Sequence, residues 1–333
     1  MTEDNMTAAV SAQSMLPDSP SAASPAEAAT ETFRQQALPV LLVLVVGTLL
    51  AMQVILGKQG IRAGASPLSF LSLALLMAGS VLFVTSFLRR QGARLRGQVL
   101  EYGVLSGLLF VLPNAVGFLA VRHVGAGFIS MTLLFPLLIT YLMALLVRVE
   151  HFAVWRMLAL LLGLAGGVLL SASKASLGDA PLFWILVSLT GPVFLAMGNV
   201  YRTLRWPQGV APLFLASLML LFAGGGLLPL ALAFEGLSGP ASLFQPATLP
   251  FIALEVATFS LLYLLYFILQ KVAGPVYLSQ IGLVGAVVGA GVARILLGEA
   301  LPPNLAMSAV LIGAGILLFQ WAGSRAKARQ NRA

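Results

Sequence analysis

The sequence predicts an all-α integral membrane protein of ten transmembrane helices, arranged as two inverted five-helix repeats. Three observations carry this expectation. The composition is 59% hydrophobic and 9% charged, against roughly 45–50% and about 25% in a soluble domain. Ten apolar runs lie at 38–57, 68–88, 103–121, 127–147, 154–172, 181–200, 210–234, 249–270, 276–297 and 305–322. Each is close to the roughly 20 residues that cross a bilayer as a helix, and none alternates with the period of a barrel strand. The chain also repeats its own punctuation: shifted by 149 positions, Phe118 falls on Phe267, Arg122 on Lys271, Gly125 on Gly274, Glu150 on Glu299 and Gly166 on Gly315.

In chain order, residues 1–33 hold no Lys or Arg and five of the eleven acids. So few large apolar groups cannot support a core, and a disordered cytoplasmic tail is expected over 1–36. The first repeat then occupies 37–172 and the second 181–322, with a basic cytoplasmic tail at 323–333. The front of each half matches too: Leu50-Ala51-Met52 with Pro67-Leu68 corresponds to Leu195-Ala196-Met197 with Pro212-Leu213 at an offset of 145. Five spans per half is an odd number, so the second half enters the membrane upside down. That arrangement is typical of alternating-access transporters, whose substrate sits near the midplane between the halves.

Charge sets the expected orientation. With the amino terminus inside, 14 of the 19 basic residues fall on the cytoplasmic side. The outer side receives Lys58, Arg62, Arg122, Lys174 and Arg294, so both termini are expected in the cytoplasm of a cell with an inner (plasma) membrane. Outside the tail the chain has 13 more bases than acids. Their placement next to spans points to lipid headgroups rather than nucleic acid.

Polar groups inside spans point most directly to chemistry, because hydrocarbon penalises them unless they face protein or a wet cavity. Glu255 leads, six residues into the eighth span, with Phe259 and Tyr266 on its helical stripe and Tyr263 on the flank. It could exchange protons, bind a substrate amine, or be fixed in an ion pair with Lys58 or Arg294. Asn114, Gln53, Asn199 and Gln280 follow. Asn114 and Tyr263 sit 149 apart at matching places in the two halves, and Gln53 and Asn199 flank matching points after the repeated Leu-Ala-Met. An interhelical hydrogen bond is the plainer role for each. Glu150 and Glu299 stand at helix starts, where a carboxylate meets the positive end of the helix dipole. No Cys and only two His leave no thiolate or imidazole metal site, and no phosphate loop or carboxylate pair appears. Neither cofactor nor enzymatic activity is expected.

The stretches FLAVRHVGAG, Pro136, RVEHFAVWR and LLGLAGG, answered by YFILQKVAGPVYLSQ, LLGEALPPN and LIGAGILL, resemble the drug/metabolite transporter superfamily, in particular its ten-span EamA-type members. The resemblance covers about residues 38–322. The chain departs from that pattern in two places. The second span lacks the basic residue often found there, and Gly285 stands where a proline would pair with Pro136. The resemblance implies a cavity lined by spans one, three, four, six, eight and nine. The function expected is secondary transport by alternating access, as an exporter of small amphipathic metabolites such as amino acids. The alternative is a non-transporting scaffold or partner subunit of an envelope enzyme. Expected partners are a small-molecule substrate, membrane lipid and, as an option, a second copy of the chain.

Overall fold

The computed structural model describes residues 25–132, 135–172, 182–297 and 304–330, and all regular structure among them is helical. The chain divides into two compact units, Met1–Leu38 and Pro39–Ala333. Of the first, the described part is helical from Pro25. The helices are α1 (Pro25–Arg62), α2 (Pro67–Leu88), α3 (Gln98–Thr132), α4 (Phe135–Leu146), α5 (Val154–Ala172), α6 (Leu182–Leu204), α7 (Pro212–Glu235), the single turn α8 (Ser238–Ala241), α9 (Leu249–Ser279), α10 (Ile281–Leu297) and α11 (Leu305–Gln330). Six stretches among the described residues are long and apolar enough to cross a membrane: Ala37–Arg62, Pro67–Leu88, Leu182–Leu204, Pro212–Glu235, Leu249–Ser279 and Ala306–Gly323. Phe135–Leu146 and Val154–Leu169 are shorter apolar helices. Large apolar side chains such as Leu41, Val84, Leu158, Leu186 and Val310 stand exposed on them, as lipid-facing surfaces require. The chain is a helical membrane protein.

Three boundaries differ from those read in the sequence. α1 begins at Pro25, inside the stretch expected as tail, because the Ala- and Glu-rich segment 26–37 is made of good helix formers; residues 1–24 lie outside the described ones. α3 runs through Arg122 to Thr132, joining what hydropathy divides into two runs. A lone base interrupts hydropathy but leaves the backbone hydrogen bonds of a helix intact. α9 likewise continues past Lys271, but it is broken at Gly274 (φ 81°, ψ −176°), a conformation open chiefly to glycine. Pro275 follows and restarts the last turn without needing a donor.

Glycines set the closest helix contacts. An added Cβ on Gly79 of α2 would lie 2.9 Å from the Leu221 backbone N of α7, and one on Gly224 of α7 would lie 2.8 Å from the Ser72 carbonyl of α2. Ser72 Oγ donates to the Gly224 carbonyl at 2.9 Å. The same reciprocity ties α5 to α11. A Cβ on Gly166 would meet the Ser308 carbonyl at 2.9 Å, and one on Gly315 the Ala159 carbonyl at 2.8 Å. Gly79 and Gly224 are 145 residues apart, and Gly166 and Gly315 are 149 apart. α1 meets α10 where Gly47 faces Val284, and Gly285 faces the Gly47 carbonyl.

The two ends of the bundle are fastened differently. At one, Glu235 accepts from the backbone N–H groups of Leu68 (2.7 Å) and Ser69 (2.8 Å), so a distant carboxylate caps the first turn of α2. Ser66 N–H donates to Ser242 Oγ beside it at 3.0 Å. At the other, Arg205 donates to both carboxylate oxygens of exposed Glu101, at 2.9 and 3.1 Å, and this pairing raises the pKa of its guanidinium. Glu150, expected to favour a helix start, is instead engaged by Arg156, because the guanidinium reaches back from the first turn of α5. The Arg156 guanidinium also lies over the Phe319 ring, 5.1 Å from its centroid.

Candidate functional site

A cavity of about 660 Å³ opens at the end of the bundle that carries the Glu235 cap. α1 gives it Gln53, Val54, Gly57, Lys58, Ile61 and Arg62; α2 gives Pro67, Leu68, Phe70 and Leu71; α3, α7 and α9 give Asn114, Leu227 and Glu255. Three of the sequence candidates, Gln53, Asn114 and Glu255, therefore meet on one surface although they are up to 202 positions apart in the chain. Glu255 is 3% exposed, and its Oε2 has no hydrogen-bond partner among the described residues. Asn114 Nδ2 donates to the Phe110 carbonyl one turn back at 2.7 Å, which holds the amide against the cavity wall. Lys58 lines the same cavity; the side chain of Arg294, the other base weighed for Glu255, lies outside the described residues. One wall thus carries a carboxylate and two amides, the rim carries two bases, and the remainder is apolar.

From Glu255 the buried face of α9 runs inward as a column of rings. Phe259 and Tyr263 have centroids 5.6 Å apart, Tyr263 and Tyr266 5.7 Å, and Tyr266 and Phe267 6.0 Å. Phe110 of α3 meets Tyr263 edge-on at 5.3 Å. This links Tyr263 to the helix that carries Asn114, its counterpart at the repeat offset.

The column ends on a buried polar cluster, roughly 16 Å from Glu255 at about 1.5 Å per residue along α9. Its centre is Arg202, 2% exposed. Nε donates to Gln270 Oε1 at 3.1 Å, and Nη2 donates to Asn199 Oδ1 and to the Tyr266 hydroxyl, both at 2.7 Å. The Tyr266 hydroxyl in turn donates a hydrogen bond to Asn199 Oδ1 at 2.9 Å. Gln270 Nε2 donates to the Asn199 carbonyl (2.8 Å) and to Thr203 Oγ1 (3.1 Å). These bonds tie α6 to α9 across the end of the bundle opposite the cavity mouth. Asn199 and Tyr266 are thereby brought together, whereas Gln280 lies apart. It sits at the α9–α10 junction, 2% exposed, with neither side-chain polar atom partnered among the described residues.

Sequence reasoning assigned Arg202 to the cytoplasmic bases and missed its role. The available signal was helical spacing: Asn199, Arg202 and Thr203 share one face of α6, and Tyr266 and Gln270 share one face of α9.

No family model and no curated protein matches the sequence. Among solved structures, a chain described only as a crystal structure of a protein is similar at a TM-score of 0.69 and 17% identity, over 85% of this chain and 97% of that one. The likeness extends to the fold, and the fold is one that another protein adopts over almost its whole length.

Proposed function

We propose that this protein is a secondary transporter of the inner membrane, an exporter of small amphipathic metabolites such as amino acids, working by alternating access between two inverted five-helix repeats. The observation that carries the reading is the cavity. It gathers Gln53, Asn114 and Glu255 from three helices around apolar walls, the pattern of a small-molecule site with a few convergent polar groups. Its about 660 Å³ accommodates a molecule of amino-acid size. A carboxylate inside and bases at the rim complement a zwitterion. The reciprocal glycine contacts at offsets of 145 and 149 support the inverted repeat, since each half presents to the other the surface it receives.

The asymmetry of the two ends supports alternation. At the repeat offset of 145, Asn199, Arg202 and Thr203 correspond to Val54, Gly57 and Lys58, which line the open cavity. One half carries a polar latch where the other carries a valine, a glycine and a lysine around an open cavity, an asymmetry that supports a state closed at the latch end and open at its counterpart. Rocking one repeat against the other would break the Arg202 cluster and close the cavity mouth.

The test is flux of amino acids into proteoliposomes by wild type, Glu255→Gln and Glu255→Ala. If Glu255 moves protons, the Gln form binds substrate but loses the pH dependence of flux. If it recognises an amine, both forms lose affinity. Wild-type flux and pH dependence in both variants would remove Glu255 from the site.

A further inference from the structure

We infer that Gly57 is the size selector of the cavity: its missing side chain opens the space taken by the apolar end of the substrate, and so fixes how bulky that end can be. The inference rests on the transport reading and adds to it the residue that limits substrate size. α1 lines the cavity with two rows at helical spacing, Gln53–Gly57–Ile61 and Val54–Lys58–Arg62. The first row is interrupted. Between Gln53 and Ile61, about 12 Å apart at about 1.5 Å per residue, it presents only backbone.

Neither reason that accounts for other glycines of this protein applies at position 57. The backbone does not need it, because Gly57 lies inside α1 and is not one of the glycines with positive φ. Packing does not need it, because an added Cβ would meet nothing within 4 Å among the described residues. Gly60, one turn further on, is the contrast: a Cβ there would come within 2.6 Å of the Phe70 ring, so that glycine lets α1 close on α2. A glycine inside a helix weakens it relative to alanine, and at position 57 what it provides is room in the cavity. The rest of the lining indicates what that room receives. Phe70, Leu71 and Leu227 are apolar, whereas Gln53, Asn114 and Glu255 carry acceptor oxygens. Glu255 is 3% exposed, and its Oε2 has no partner among the described residues. An amphipathic molecule fits with its polar end on the carboxylate and amides and its apolar end over Gly57.

Binding itself does not depend on flux, and the experiment uses that. Purified full-length protein in detergent is titrated with alanine, leucine, phenylalanine and tryptophan, and the affinity for each is read from the rise in melting temperature. Gly57→Leu is expected to lower the affinity for tryptophan relative to alanine by about tenfold or more, the scale on which an apolar pocket discriminates by one methylene. Gly57→Ala should shift the same ratio in the same direction by less. Without ligand, Gly57→Ala should melt no lower than wild type, whereas Gly60→Ala should melt lower because its methyl meets Phe70. Gly225→Ala, which also faces open space but does not line the cavity, should leave the ratio unchanged. If Gly57→Leu does not fold, Gly57→Ala decides on the same ratio. An unchanged ratio overturns the inference, as does equal weakening of all four amino acids. So does a loss of unliganded melting in Gly57→Ala as large as that in Gly60→Ala, or a wild type that responds to none of the four. Proteoliposomes separate the two claims: flux by wild type with an unchanged ratio in Gly57→Leu leaves transport standing without the selector, and Gly57-dependent binding without any flux does the reverse.

Discussion

Replacing Tyr266 by Phe removes one oxygen from the latch and tests whether the latch closes the inner end. The hydroxyl accepts from Arg202 Nη2 and donates to Asn199 Oδ1, at 2.7 and 2.9 Å. A hydrogen bond to a charged group contributes about 1.5–3 kcal/mol and a neutral one about 0.5–1.5. The loss is less than their sum, because Nη2 and Asn199 keep each other at 2.7 Å and the aromatic ring still packs in its column. A net cost of about 1–2 kcal/mol follows, which shifts a two-state equilibrium about 5- to 30-fold. The chain has no cysteine, so Val200→Cys, at a position 3% exposed on α6, reports opening. In inside-out vesicles an impermeant maleimide should label Val200→Cys faster by that factor when Tyr266→Phe is added. An unchanged labelling rate together with a lowered melting temperature would make the cluster a static brace and refute the gating argument.

Other outcomes follow from the same contacts. Gly224→Val should be poorly tolerated, because even a methyl at Gly224 would come within 2.8 Å of the Ser72 carbonyl; melting and expression should both fall, whereas Gly225→Ala, which faces open space, should leave them alone. Glu235→Gln should cost about 0.5–2 kcal/mol by weakening the cap on α2, seen as a drop in melting temperature. Leu237→Cys, 84% exposed, should react with an impermeant thiol reagent from outside whole cells and Arg94→Cys should not; reaction of both from one side would sink the expected topology.

How much was legible in the sequence depended on whether a property is written in one segment or between segments. Hydropathy located the helices, since burial in lipid is a property of each run. Gly79 with Gly224 and Gly166 with Gly315 sit at the repeat offsets of 145 and 149, but that they make the close helix contacts is written only in the packing of the helices. The boundaries at Thr132 and Ser279 were misread, because polarity at Arg122 and Lys271 was taken for a chain break. Glu255 was legible as an acid in an apolar run, and Asn114 and Gln53 as amides at repeat positions. Arg202 was not, because its meaning depends on Tyr266 and Gln270, which lie more than 60 positions away and which no local pattern joins to it. The Glu235 cap was equally hidden: the acceptor is 167 residues from the amide it holds.

Alternating access is tested most directly by counterflow. Proteoliposomes preloaded with an unlabelled amino acid, diluted into a trace of the labelled compound, should accumulate label transiently above its outside concentration, because a carrier exposes one site to each side in turn. Glu255→Ala should abolish the overshoot, and Tyr266→Phe should change its rate. No movement of any amino acid by folded protein, or flux with no stimulation from the opposite side, would contradict a carrier in which the Glu255 cavity and the Arg202 latch open alternately.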